Sequence, residues 1–74
     1  MVEVFINTFG LKIYMNVPIE KGEKYFVKII AETGNNEGLA KIDGFPIYIK
    51  NAKKGEEIKI IIVDIKHHYG VGSR

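Results

Sequence analysis

The stretch GLAKIDGFPIYIKNAKKGEE, residues 38–57, sets aromatic rings and lysines side by side at Lys41, Phe45, Tyr48 and Lys50. A flat exposed ring can hold an unstacked base, worth about 1–3 kcal/mol per base, while a neighbouring ammonium attracts phosphate. The same pairing recurs near the end of the chain in Lys66-His67-His68-Tyr69, with Arg74 close by. Read from these residues alone, Tyr48 fits two roles equally. It is a stacking platform for RNA, or a tyrosine capping a barrel rim with its hydroxyl in water. Lys41 and Lys59, both mid-strand, are the better phosphate partners. Lys21, Lys24, Lys53 and Lys54 surround glycine turns whose glutamates (Glu20, Glu23, Glu56, Glu57) partly offset them.

Other chemistries find few residues to use. Ser73 is the sole serine, there is no cysteine, and Asp43 and Asp64 have no histidine at a workable spacing. A nucleophile or acid–base constellation is therefore not expected, and the chain reads as a non-enzyme. Adjacent His67 and His68 would point to opposite faces of a strand, and no further histidine or cysteine completes a coordination sphere, so no metal is expected. Gly34 and Gly38 lie in a polar loop that opens no helix, so no phosphate-cradling nucleotide motif is present and no cofactor is implied.

These candidate residues must be positioned by a small fold. With 74 residues, one domain is possible, and its single core hides only about 60 % of the unfolded chain's surface. Hydrophobic residues at 46 % and charged residues at 27 % are a globular balance, not a disordered one. No run approaches the roughly 20 apolar residues of a membrane span, and the start, MVEVFINTFG, lacks a signal peptide's basic and apolar regions. The expectation is a cytoplasmic protein without a membrane partner. A net charge of only +2 makes any nucleic-acid reading depend on where the cations sit.

The periodicity is that of strands. Residues 2–6 and 11–17 alternate around Asn7-Thr8-Phe9-Gly10, predicting a hairpin with Val2, Val4, Ile6, Leu11, Ile13, Met15 and Val17 on buried faces. Residues 24–31 form a third strand that turns Tyr25, Val27 and Ile29 to one side. Strands 39–42 and 45–50 flank Asp43-Gly44, a strong type I′ hairpin signal. Residues 57–65 and 69–72 supply two more. Leu39, Ile42, Ile47, Ile49, Ile58, Ile60 and Ile62 are assigned to the core, and Tyr48 and Lys50 face outward. Ile13-Tyr14 with Glu20–Glu23 is echoed by Ile47-Tyr48 with Lys53–Glu56, which two strand-turn-strand units sharing one vocabulary explain. The fold class is all-β, a small closed barrel, because closure removes exposed edges.

Gly38-Leu39-Ala40-Lys41-Ile42-Asp43-Gly44-Phe45, then Ile47-Tyr48-Ile49, Asn51-Ala52 and Gly55-Glu56, resembles the TRAM domain, a small OB-like barrel. The resemblance covers about residues 23–74 and leaves residues 1–22 as an added N-terminal hairpin. It departs from the family pattern at three places. Asn36 and Asn51 stand where glycine is usual, Lys54 replaces proline, and Lys66–Gly72 replaces a basic, aromatic and alanine-rich ending. Histidine in place of arginine or lysine weakens a cationic surface above about pH 6.5. The resemblance implies contact with tRNA, rRNA or structured mRNA, as in domains attached to RNA-modifying enzymes and in free-standing archaeal RNA chaperones. With no attached catalytic sequence, the chain looks like the free-standing kind. The implied contacts are Lys41, Phe45, Tyr48, Lys50, Lys59, Lys66, His67, His68, Tyr69 and Arg74.

A rival role is a protein-interaction module or an accessory subunit of a modifying enzyme. Phe26, Ile30, Ile61 and Val63 fall on outward faces where the family usually has polar or basic residues. Such a patch is normally covered, here by the N-terminal hairpin or by a second copy in a homodimer.

Overall fold

The computed structural model describes the backbone of residues 2–8 and 11–74, and the side chains of residues 17–74. Its elements are all strands: β1 Val2–Thr8, β2 Leu11–Val17, β3 Lys24–Lys28, β4 Ala31–Glu32, β5 Glu37–Ile42, β6 Phe45–Lys50, β7 Glu57–Ile65 and β8 Gly70–Ser73. The antiparallel pair β1–β2 is a separate two-stranded sheet, in register from Val2 opposite Val17 to Thr8 opposite Leu11. The faces assigned to Val2 through Met15, and the Phe9-Gly10 turn, lie outside the described residues.

The other six strands form one sheet in the order β3-β7-β8-β6-β5-β4. Its two edge strands are consecutive pieces of one segment. The Ile29 N–H donates to the Glu56 carbonyl and the Ile30 N–H donates to the Leu39 carbonyl, each at 2.8 Å. The chain therefore changes partner between these two residues, from the β7 side to β5. That bent segment brings the sheet's ends together and makes a small OB-like barrel. The predicted continuous strand 24–31 is thus two strands with a bend. β6 and β8 pair in parallel while the remaining pairs are antiparallel.

Alternation fills the interior with branched aliphatic side chains. Val17, Ile19, Val27, Ile29, Ala40, Ile47, Ile49, Ala52, Ile60 and Ile62 form the core, flanked by Tyr25, Ile42, Phe45, Ile58 and Ile65. Val17 and Ile19 carry this packing N-terminal to residue 23. Leu39 corrects the expected core set. It sits opposite Tyr48, on the outer face, because Ala40 and Gly38 take the inward positions of β5. Space explains those small residues. A Cβ on Gly38 would lie 2.7 Å from Ile29 Cγ2 and 2.8 Å from the Ala52 carbonyl oxygen, and one on Gly72 would lie 2.8 Å from Ile60 Cδ1.

The turns follow their side chains. Asp43 and Gly44 have φ of 49° and 82°, both positive as a type I′ turn requires. Asn36 and Asn51, with φ of 57° and 59°, hold the left-handed conformation that asparagine tolerates better than most residues and that glycine adopts freely. In β7 the pairing with β8 slips between Ile62 and Asp64. Val63 is the extra residue of that bulge, which is why Ile65 packs on the core although Ile58, Ile60 and Ile62 share the opposite parity.

Candidate nucleic-acid interface

The hairpin β5–β6 and the neighbouring strand β8 present one continuous outer face. Register sets Leu39 opposite Tyr48 and Tyr48 opposite Val71, giving an apolar row across three strands. Tyr69, just before β8, reaches Tyr48 with ring centroids 5.4 Å apart and planes at 82°. Edge-to-face contact of this kind is a favoured aromatic geometry and fixes the angle between the rings. Glu37, Tyr48, Tyr69 and Val71 line an open groove of about 380 Å³.

Cations stand on both sides of this row. Lys41 lies opposite Pro46 and Lys50 opposite Glu37, each two residues along its strand from the row, hence on the same face. Both are exposed. The ion pairs among the described residues are Lys66–Asp64 at 3.0 Å and Arg74–Glu56 at 3.2 Å. Lys41, Lys50 and Lys59 are therefore not ion-paired with any described residue.

Arg74 is differently employed from its expected role. Its two terminal nitrogens donate to the two Glu56 carboxylate oxygens, each at 3.2 Å, and Nη1 also donates to the Asn51 carbonyl at 3.1 Å. The Arg74 hydrogen bond, reinforced by the Lys53 N–H, holds the Glu56 carboxyl below the ordinary glutamate range. Arg74 thus ties the chain's last residue to the 51–56 turn. Lys66 is likewise engaged: its hydrogen bond lowers the pKa of Asp64, and Asp64 in turn raises that of Lys66.

Phe45 also differs. It pairs with Ile42 and packs against the core, on the inward parity of Ile47 and Ile49, so it does not share the outer face with Tyr48. His67 and His68 lie outside the strands, in a reversal closed by the Lys66 N–H donating to the Tyr69 carbonyl at 2.7 Å. Their rings therefore do not diverge as strand neighbours do; the centroids are 4.3 Å apart. Among the described residues no group of three metal-ligating side chains forms. Lys59 is placed on β7 opposite Phe26, two strands away from Tyr48.

The outward apolar residues expected from alternation are found: Phe26 is 70 % exposed, Ile30 and Val63 are exposed and Ile61 is half-buried, while the side chains of the N-terminal hairpin expected over them lie outside the described residues. No described part of the chain covers them. The signal was present in Lys24-Tyr25-Phe26-Val27-Lys28, where alternation puts the phenylalanine between two lysines.

The TRAM domain family model matches residues 18–73. An uncharacterized RNA methyltransferase of Bacillus cereus is 38 % identical over 60 residues, covering 78 % of this chain and 13 % of that protein. A ribosomal RNA large subunit methyltransferase E of Halobacterium salinarum is 27 % identical over 63 residues, covering 85 % of this chain and 24 % of that protein. The chain thus spans a quarter or less of these two relatives. The solution structure of a conserved protein of Methanococcus maripaludis superposes with a TM-score of 0.76 at 36 % identity, covering 80 % of this chain and 84 % of that one.

Proposed function

The chain belongs to the TRAM domain family, and from that premise we propose that it is a non-catalytic RNA-binding barrel of low sequence specificity that captures unstacked bases. The observation that carries this reading is the Tyr48–Tyr69 pair, set in an open groove between the exposed lysines Lys41 and Lys50. Relatives named as RNA methyltransferases support RNA as the ligand class. The match to those enzymes spans only a fraction of their length, so their chemistry is not carried over.

The angle between the rings bears on mechanism. Bases stacked on two rings at 82° cannot remain parallel to each other, as they are in a helix. The groove therefore suits a splayed single strand, with Lys41 and Lys50 on its phosphates. A surface that holds bases apart favours locally melted RNA by mass action, which is the basis of a chaperone-like role. Base stacking is tolerant of sequence because every base has a π-face.

Titration of labelled single-stranded RNA at several salt concentrations tests the reading. Two lysine–phosphate contacts, through Lys41 and Lys50, predict that log K falls with log salt at a slope of about −1.4, from about −0.7 per contact on a single strand. Absence of binding at low salt, or affinity indifferent to salt, rejects it.

A further inference from the structure

Among the described residues, Phe26 is the most exposed large hydrophobic side chain, at 70 %. Tyr25 and Val27 turn into the barrel, so alternation leaves Lys24, Phe26 and Lys28 on the outer face of β3. Across the pairing with β7, Lys59 stands opposite Phe26, and Ile61 stands opposite Lys24. An open groove of about 200 Å³ beside them is lined by Lys24, Lys59, Ile61 and Ser73, among others. None of the three lysines is ion-paired with a described residue. One carboxylate, Glu57, lies opposite Lys28. An exposed ring among free ammonium groups repeats the chemistry of the Tyr48 face.

The two faces are joined. β3, β7, β8 and β6 are consecutive neighbours in the sheet, so Phe26 and Tyr48 are three inter-strand steps apart, about 14 Å across the strands, and offset by about four residues, roughly 13 Å, along them. Val71, Ser73 and Ile61 occupy the outer face between them, with Asp64, opposite Val71, held in its ion pair with Lys66. We infer that Phe26, with Lys24, Lys28 and Lys59, is a second stacking site for the same single-stranded nucleic acid, which crosses β8 and β7 from the Tyr48–Tyr69 groove. This rests on the RNA-binding reading above and extends its footprint around the barrel. A second copy of the chain fits the patch less well. A two-fold interface pairs a surface with itself, and would set these lysines against a patch carrying the same cations.

The chain contains no tryptophan, so Phe26→Trp introduces a single indole reporter at the site. An oligouridylate of about 12 nucleotides, within the range such barrels hold, is added while its own anisotropy is followed. The expected result is a change in indole emission along the same binding curve, with Phe26→Ala weakening binding about 5- to 150-fold. A rise in anisotropy with unaltered indole emission and unaltered Phe26→Ala affinity overturns the second site and leaves the Tyr48 groove standing. No anisotropy change with the wild-type chain removes the RNA-binding reading, and the second site falls with it. Light scattering covers the remaining occupant: a dimer that Phe26→Ala dissociates, at unchanged RNA affinity, assigns the patch to a second copy and overturns the inference.

Discussion

Replacing Tyr48 and Tyr69 together by alanine is expected to weaken single-stranded RNA binding by about 30- to 1,000-fold while leaving the barrel folded. Each ring can support one base at about 1–3 kcal/mol. The two touch at 5.4 Å, so their contributions are not independent, and about 2–4 kcal/mol for the pair is the reasonable sum. Neither ring belongs to the buried core, so the cost in stability is small beside the loss of binding. The companion variant Tyr48→Phe/Tyr69→Phe separates ring from hydroxyl. It retains both stacking surfaces and is expected to bind close to the wild-type affinity, read by anisotropy at one fixed salt concentration. An equal loss in both variants would assign the groove's role to the hydroxyls instead.

The second large effect is on the fold. Ile47→Ala is expected to destabilise the domain by about 2–5 kcal/mol, the range for truncating a buried isoleucine, and toward the upper end of it. Ile47 is fully buried, and its side chain covers two glycines of β8. A Cβ on Gly70 would come within 3.0 Å of Ile47 Cδ1, and one on Gly72 within 3.3 Å of Ile47 Cγ2. Glycines carry no side chain that could relax into the space, so the cavity stays open. Against the roughly 5–15 kcal/mol available to whole domains, such a loss shows as a greatly lowered urea midpoint in circular dichroism. Ile47→Val, which removes one methylene, is expected to cost about 0.5–1.5 kcal/mol.

What the sequence made legible is what depends on neighbours along the chain. Asp43-Gly44 announced its hairpin because both positions need positive φ, and Phe45–Lys50 emerged with its predicted bounds, Ile47 and Ile49 inward and Tyr48 and Lys50 outward, with Phe45 joining the inward side. Ile58, Ile60 and Ile62 turned inward as their alternation required. Leu39 was misplaced because a leucine reads as core wherever it stands, and only the crowding at Gly38 shows that β5 takes small residues inside. The bend at Ile29-Ile30, the bulge at Val63 and the parallel pairing of β6 with β8 depend on partners distant in sequence. No local pattern encodes them.

The same division runs through the candidate site. Tyr48 and Lys50 were readable from parity, whereas Lys41 joins their face only because Leu39, two residues before it, turns outward. Arg74 and Lys66 were counted as free cations because their carboxylate partners, Glu56 and Asp64, are fixed by the barrel's closure and by the local reversal. Phe26 was readable as an outward ring, and it is exposed; its lysine neighbours across the register, Lys59 among them, become visible only with the pairing of β3 and β7.

On this reading RNA lies on the outer face of β5, β6 and β8. Mapping backbone amide shifts while a short single-stranded RNA is titrated tests this most directly. The predicted result is that the largest changes fall at Glu37–Lys41, Tyr48–Lys50 and Lys66–Val71 and saturate along one binding curve. Saturation of the RNA with changes confined to the 51–56 turn, or with no changes on that face, would contradict it.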